Sequence, residues 1–112
     1  MKLIIINNRK SFITGIKSTS LSLKERSFLK KYKPWGIILF NRNIKTIKQS
    51  LKLTNTIRAI FKDKNYPILI DQEGGRVNRL ENIILFNSLT SEFFGKKYIH
   101  NYKEFKFFYK LF

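Results

Sequence analysis

The chain has 112 residues, 43% of them hydrophobic, and a formal net charge of +16, which places it in the globular class with room for about one small domain. It contains no cysteine and a single histidine, His100, so disulfide frameworks, thiolate sites and histidine-rich metal clusters are excluded, and no cofactor is called for. No apolar run approaches the roughly 20 residues of a membrane span, and the start lacks a signal-type segment, so the chain reads as soluble and cytoplasmic.

In chain order, "LIIIN" (3–7) and "FITGI" (12–16) are short apolar runs, either of which fits a strand. In "SLKERSFLKKY", Ser22 and Glu25 form a capping-box pair, and Phe28, Leu29 and Tyr32 share a helical face. Pro34 stops that helix. "WGIILF" (35–40) is a continuous apolar run, as expected of a strand covered on both faces in a parallel sheet. After "NRN" (41–43), Thr46 and Gln49 make a second capping pair. Ile47, Leu51, Thr54, Ile57, Ile60 and Phe61 then recur at helical spacing, "KDKN" closes the helix, and "PILI" (67–70) is the next strand.

The resulting β-α-β-α-β pattern predicts an α/β fold of parallel strands joined by helical crossovers. In such sheets, functional groups lie beyond the carboxyl ends of the strands. "NRN" and "DQEGGRVNR" (71–79) occupy that position. Residues 82–101 have no clean period. In "YKEFKFFYKLF" (102–112), Tyr102, Phe105, Phe108, Tyr109 and Phe112 fall on one helical stripe.

"ILIDQEGGRVNRL" (68–80) carries the chemistry. A carboxylate at a strand end can accept hydrogen bonds from two adjacent sugar hydroxyls, and an arginine eight residues later can donate to the same ligand. Gly74 and Gly75 permit positive φ, so the chain can turn back over a site. A strand-terminating turn with solvated charges is equally compatible with these residues, and on composition alone it is the simpler account.

"GIILFNRNI" (36–44), "TNTIRAI" (54–60) and "ILIDQEGGRVNRL", with "FITGI", "SLSLKERSFLKKYKPWGIILF" and "FFGKKY" around them, are similar to the N-terminal part of glycoside hydrolase family 3. The segment resembles most the bacterial β-N-acetylhexosaminidase branch that acts in cell-wall recycling. The resemblance covers residues 12 to 100 and implies the N-terminal part of a (β/α)8 barrel, with residues 1–112 as an incomplete barrel domain. It implies removal of terminal N-acetylglucosamine from muropeptides by a retaining mechanism. It also implies that Asp71 and Arg79 contact the sugar, while Glu73, Gly74, Gly75 and Arg76 shape the turn.

The family's lysine-histidine sugar contact, acid/base histidine and aspartate nucleophile lie later in its sequence, and none is matched in these 112 residues. Retaining hydrolysis needs both a nucleophile and an acid/base group. The chain is therefore expected to be a truncated piece, inactive alone, with no catalytic residue of its own and with a further polypeptide completing the barrel. His100, outside any matching motif, reads as a solvated loop residue. The rival reading is a basic, non-enzymatic module on an anionic membrane or nucleic acid. The lysines are scattered rather than clustered, which argues for neither as partner.

Overall fold

The computed structural model describes residues 8–84 and 89–111; "LIIIN" at 3–7 and Phe112 lie outside them. The chain divides into two compact units, Met1–Asp71 and Gln72–Phe112.

The first unit holds β1 (Lys10–Gly15), α1 (Leu23–Tyr32), β2 (Pro34–Leu39), a 3-10 turn at Asn41–Asn43, α2 (Ile47–Phe61) and β3 (Ile68–Ile70). The strands form one parallel sheet in the order β1-β2-β3. Consecutive parallel strands lying side by side are the arrangement from which a (β/α)8 barrel is built. In the register of the sheet, Ile13 pairs with Gly36, and Leu39 with Ile70. Gly36 is required by close strand packing, since a Cβ there would meet Leu69 Cδ1 at 3.0 Å and the Pro67 carbonyl oxygen at 3.1 Å.

The helix limits follow from local chemistry. At α1 the Glu25 N–H donates to Ser22 Oγ (3.2 Å) and the Ser22 N–H donates to Glu25 Oε2 (2.8 Å), completing the capping box. Glu25 Oε1 also accepts from the Lys17 N–H (2.8 Å), which ties the β1–α1 loop to the helix start. Partial burial pushes the Glu25 carboxyl up. The Lys17 and Ser22 N–H groups, the Ser22 hydroxyl and the Lys17 charge outweigh it and hold the carboxyl below its ordinary value.

At α2, Thr46 Oγ1 accepts from the Gln49 N–H (3.1 Å). The Gln49 side chain turns to other partners, accepting from the Lys45 N–H (2.9 Å) and donating to the Thr19 (2.8 Å) and Asn43 (3.0 Å) carbonyls. Both helices end on a lysine in the left-handed region, Lys33 at φ 48° and Lys62 at φ 50°.

Ile16, Leu21, Leu29, Ile37, Leu39, Ile44, Leu53, Ile57 and Tyr66 make the core of this unit. Fully burying such an aliphatic side chain contributes about 1.5–3 kcal/mol. Tyr66 stacks on Phe61 with ring centroids 3.8 Å apart and donates its hydroxyl to the Pro34 carbonyl (2.8 Å). The Arg9 guanidinium lies 4.7 Å from the Tyr66 ring centre and is ion-paired with Asp63. β2 is not covered throughout, as its unbroken apolarity suggested. Gly36, Ile37 and Leu39 are buried, but Trp35 is 39% exposed, and beside it Phe12 and Ile13 of β1 are also open.

In the second unit, α3 (Ser91–His100) and α4 (Tyr102–Leu111) form a helical pair. α3 was not expected from its irregular apolar spacing. It starts where Thr90 Oγ1 accepts from the Phe93 N–H (3.0 Å), and Asn101 Oδ1 opens α4 by accepting from the Glu104 N–H (3.2 Å). Phe93 meets Phe108 edge-on at 5.6 Å, and Lys97 pairs with Glu104.

Candidate functional site

Because β2 and β3 are parallel and Leu39 faces Ile70, the segments leaving both strands emerge at the same end of the sheet. One carries Phe40 and the turn Asn41–Asn43; the other carries Asp71. Asp71 is the first residue past β3, and it is exposed. This places it at the carboxyl rim, which is the ligand-binding end in parallel α/β sheets.

The "NRN" turn on this rim is built into the scaffold. Asn43 is fully buried and uses both ends of its amide. It donates to the Ile16 (3.1 Å) and Ser18 (2.8 Å) carbonyls and accepts from the Phe40 N–H (2.9 Å). Arg42 lies over the Phe40 ring, 4.6 Å from its centre, and Nε donates to the Ile16 carbonyl (3.1 Å). These two side chains latch the loop after β1 to the loop after β2. Sequence reasoning placed "NRN" at the functional rim but missed this buried role.

The loop 72–84, in the second unit, is fastened by its own amides. Gly74 and Gly75 both have positive φ, 77° and 56°. The Val77 N–H donates to the Gly74 carbonyl and the Glu73 N–H to the Val77 carbonyl, each at 3.2 Å, closing a tight turn that needs glycine at its first central position. The Gln72 side chain accepts from the Arg79 N–H (2.8 Å) and donates to Asn78 Oδ1 (2.9 Å). Asn78, 5% exposed, also takes the Leu80 N–H (3.1 Å) and donates to the Ile84 carbonyl (3.3 Å).

The expectation that the glycines shape the turn agrees with this geometry. Gln72 and Asn78 were not foreseen as its fasteners. The available signal is two amide side chains on opposite legs of a Gly-Gly turn. Arg79 is half-buried in this unit, and Asp71 ends the other. A hollow of about 530 Å³ in the second unit is lined by Gln72, Glu73, Gly74, Leu80, Ile84, Leu89, Ser91 and Phe94.

His100 does not lie in a loop, as expected from "YIHN". It is the last residue of α3, exposed at the helix terminus. Among the described residues no group of three or more His, Asp or Glu could hold a metal. No described helix is long and apolar enough to cross a membrane.

No family model matches the chain. It is 36% identical over 90 residues to a β-hexosaminidase of Xanthomonas euvesicatoria, covering 80% of this chain and 26% of that protein. It is 43% identical over 67 residues to a β-hexosaminidase of Alkalilimnicola ehrlichii, covering 58% and 18%. The fold matches NagZ of Neisseria gonorrhoeae, solved in complex with N-trifluoroacetyl-D-glucosamine, at TM-score 0.59 and 35% identity over 69% of this chain and 22% of that one. It also matches a glycoside hydrolase family 3 β-N-acetylglucosaminidase of Paenibacillus sp. at TM-score 0.57 and 34% identity, over 63% and 14%.

The chain thus spans about a quarter or less of the relatives it matches. By sequence and by fold it is related to the β-N-acetylhexosaminidases of glycoside hydrolase family 3, and its β-α-β-α-β unit is equivalent to part of their barrel.

Proposed function

We propose that residues 1–112 form a portion of a family 3 glycosidase barrel that grips a terminal N-acetylglucosamine of a muropeptide, in an enzyme that hydrolyses the glycosidic bond with retention. Asp71 accepts hydrogen bonds from adjacent sugar hydroxyls, and Arg79 donates to the same sugar. The observation that carries this is the position of Asp71, first past a parallel strand, at the head of the string that resembles the family's. The sugar analogue bound to the gonococcal relative supports the ligand class.

Retaining hydrolysis takes two groups flanking the scissile bond. Asp71 serves as neither nucleophile nor acid here. We therefore expect no turnover of 4-nitrophenyl N-acetyl-β-D-glucosaminide by the 112-residue chain alone, and a further polypeptide as the partner that completes the barrel.

The test is a chimera in which residues 12–100 replace the matching segment of the gonococcal enzyme. It should hydrolyse the nitrophenyl substrate. Asp71→Ala in it should lower kcat/KM by at least about 100-fold, the size of a lost charge-assisted hydrogen-bond pair at about 1.5–3 kcal/mol per bond. A folded chimera whose Asp71→Ala variant keeps full activity overturns the assignment.

A further inference from the structure

Gln72 follows Asp71 in the chain, and its side chain reaches the other residue assigned to the sugar. Its amide oxygen accepts the backbone N–H of Arg79 at 2.8 Å, and its amide nitrogen donates to Asn78 Oδ1 at 2.9 Å. A primary amide presents one acceptor and one donor end, and both are used. Asn78 is buried and carries the chain of bonds on to Leu80 and Ile84. The two legs of the loop are thereby joined at Gln72, which immediately follows Asp71, and at the backbone of Arg79. The Gly74–Val77 turn closes the far end.

We propose that Gln72 is a positioning residue of the sugar site, setting the place of the Arg79 backbone, and so the origin of its guanidinium, relative to the residue next to Asp71. The inference rests on the assignment of Asp71 and Arg79 to the sugar. The length of one glutamine side chain is the ruler. Asparagine at 72, one methylene shorter, cannot span to the Arg79 N–H without moving a leg of the loop. Sub-ångström placement of a ligand contact is worth a large factor in binding or rate, so the change should be read in the ligand response.

The experiment uses the whole 112-residue chain, labelled with nitrogen-15 and titrated with N-acetylglucosamine. The unsubstituted chain should show a saturable response at Asp71 and Arg79, and Asp71→Ala should abolish it. Gln72→Asn should raise the apparent dissociation constant at least tenfold and speed hydrogen exchange of the Arg79 N–H at least tenfold. Ser22→Ala, which removes a helix cap of the first unit, should leave both readouts unchanged.

No saturable response in the unsubstituted chain, or one retained in Asp71→Ala, overturns the sugar assignment and this proposal with it. A response lost in Asp71→Ala but kept in Gln72→Asn overturns this proposal alone. So does a loss of equal size in Ser22→Ala, which marks general destabilisation. If Gln72→Asn does not fold, the unsubstituted chain still decides: an Arg79 N–H exchanging as fast as an open-chain amide rules the clamp out, and a protected one supports it.

Discussion

Asn43 carries more of the first unit's polar organisation than any other described side chain on the rim. Its amide satisfies two carbonyls and one N–H from three other residues. Asn43→Ala removes a partner from the Phe40 N–H and the Ser18 carbonyl, while the Ile16 carbonyl keeps Arg42 Nε, at about 1–3 kcal/mol in all for the part-buried groups left short. We expect a loss of about 1–3 kcal/mol by urea unfolding. Asparagine between two strands and a helix reads as a turn residue, and nothing local in "NRN" tells that its partners are Ile16 and Ser18.

Tyr66 and Asp63 each contribute to the pH dependence of the same unit. Burial pushes the Tyr66 phenol up to about 12, against an opposing pull from Arg9. A folded-state pKa above the unfolded one stabilises at lower pH. That contribution is intact below pH 10.0 and fades as pH rises toward about 12. The Arg9 guanidinium, then the Asn65 N–H, hold the Asp63 carboxyl below its ordinary 3.8, so its contribution is present above that value and lost as pH falls through the lowered one. Tyr66→Phe should reduce the alkaline fall in melting temperature and cost about 1–2 kcal/mol at neutral pH from the orphaned Pro34 carbonyl. Asp63→Asn should make the acid fall shallower, leaving the share that comes from the lowered Glu25 carboxyl.

At the scale of the element, the two helix stops invite improvement. Lys33 and Lys62 hold left-handed φ that glycine adopts freely. Lys33→Gly and Lys62→Gly should each add about 1 kcal/mol, read as a higher melting temperature.

The elements with strong local signals were legible. Ser22 with Glu25, Thr46 with the Gln49 N–H, and the apolar runs of β2 and β3 located both helices and two strands to within a residue or so. β1 was placed at 12–16, but it starts at Lys10, where pairing with Pro34 rather than apolarity extends it. α3 escaped because Gly95 interrupts a sequence whose aromatics, Phe93, Phe94 and Tyr98, are half-buried or exposed and so follow no single face. At the site, Asp71 and the paired glycines stood out in the string, whereas the roles of Gln72 and Asn78 depend on side chains meeting across a turn, which no period encodes.

For the whole molecule, the three-stranded sheet leaves β1 and β3 as edges among the described residues, with Phe12, Ile13 and Trp35 open. Parallel strands with bare edges and uncovered apolar residues invite association. The isolated chain should sediment with concentration-dependent size and melt over a broad range; a monomer with a sharp cooperative transition would contradict this. The basic-module rival makes a different demand. Its affinity for anionic vesicles or DNA should collapse with salt, whereas a response to uncharged N-acetylglucosamine should not.

Trp35 gives the assembly its own lamp. It is the single tryptophan of the chain and is 39% exposed at the start of β2. Any polypeptide that closes over that end of the sheet must dry the indole, so its emission should move to the blue as the complement is added. Sugar alone, arriving at the far rim, should leave the colour as it was.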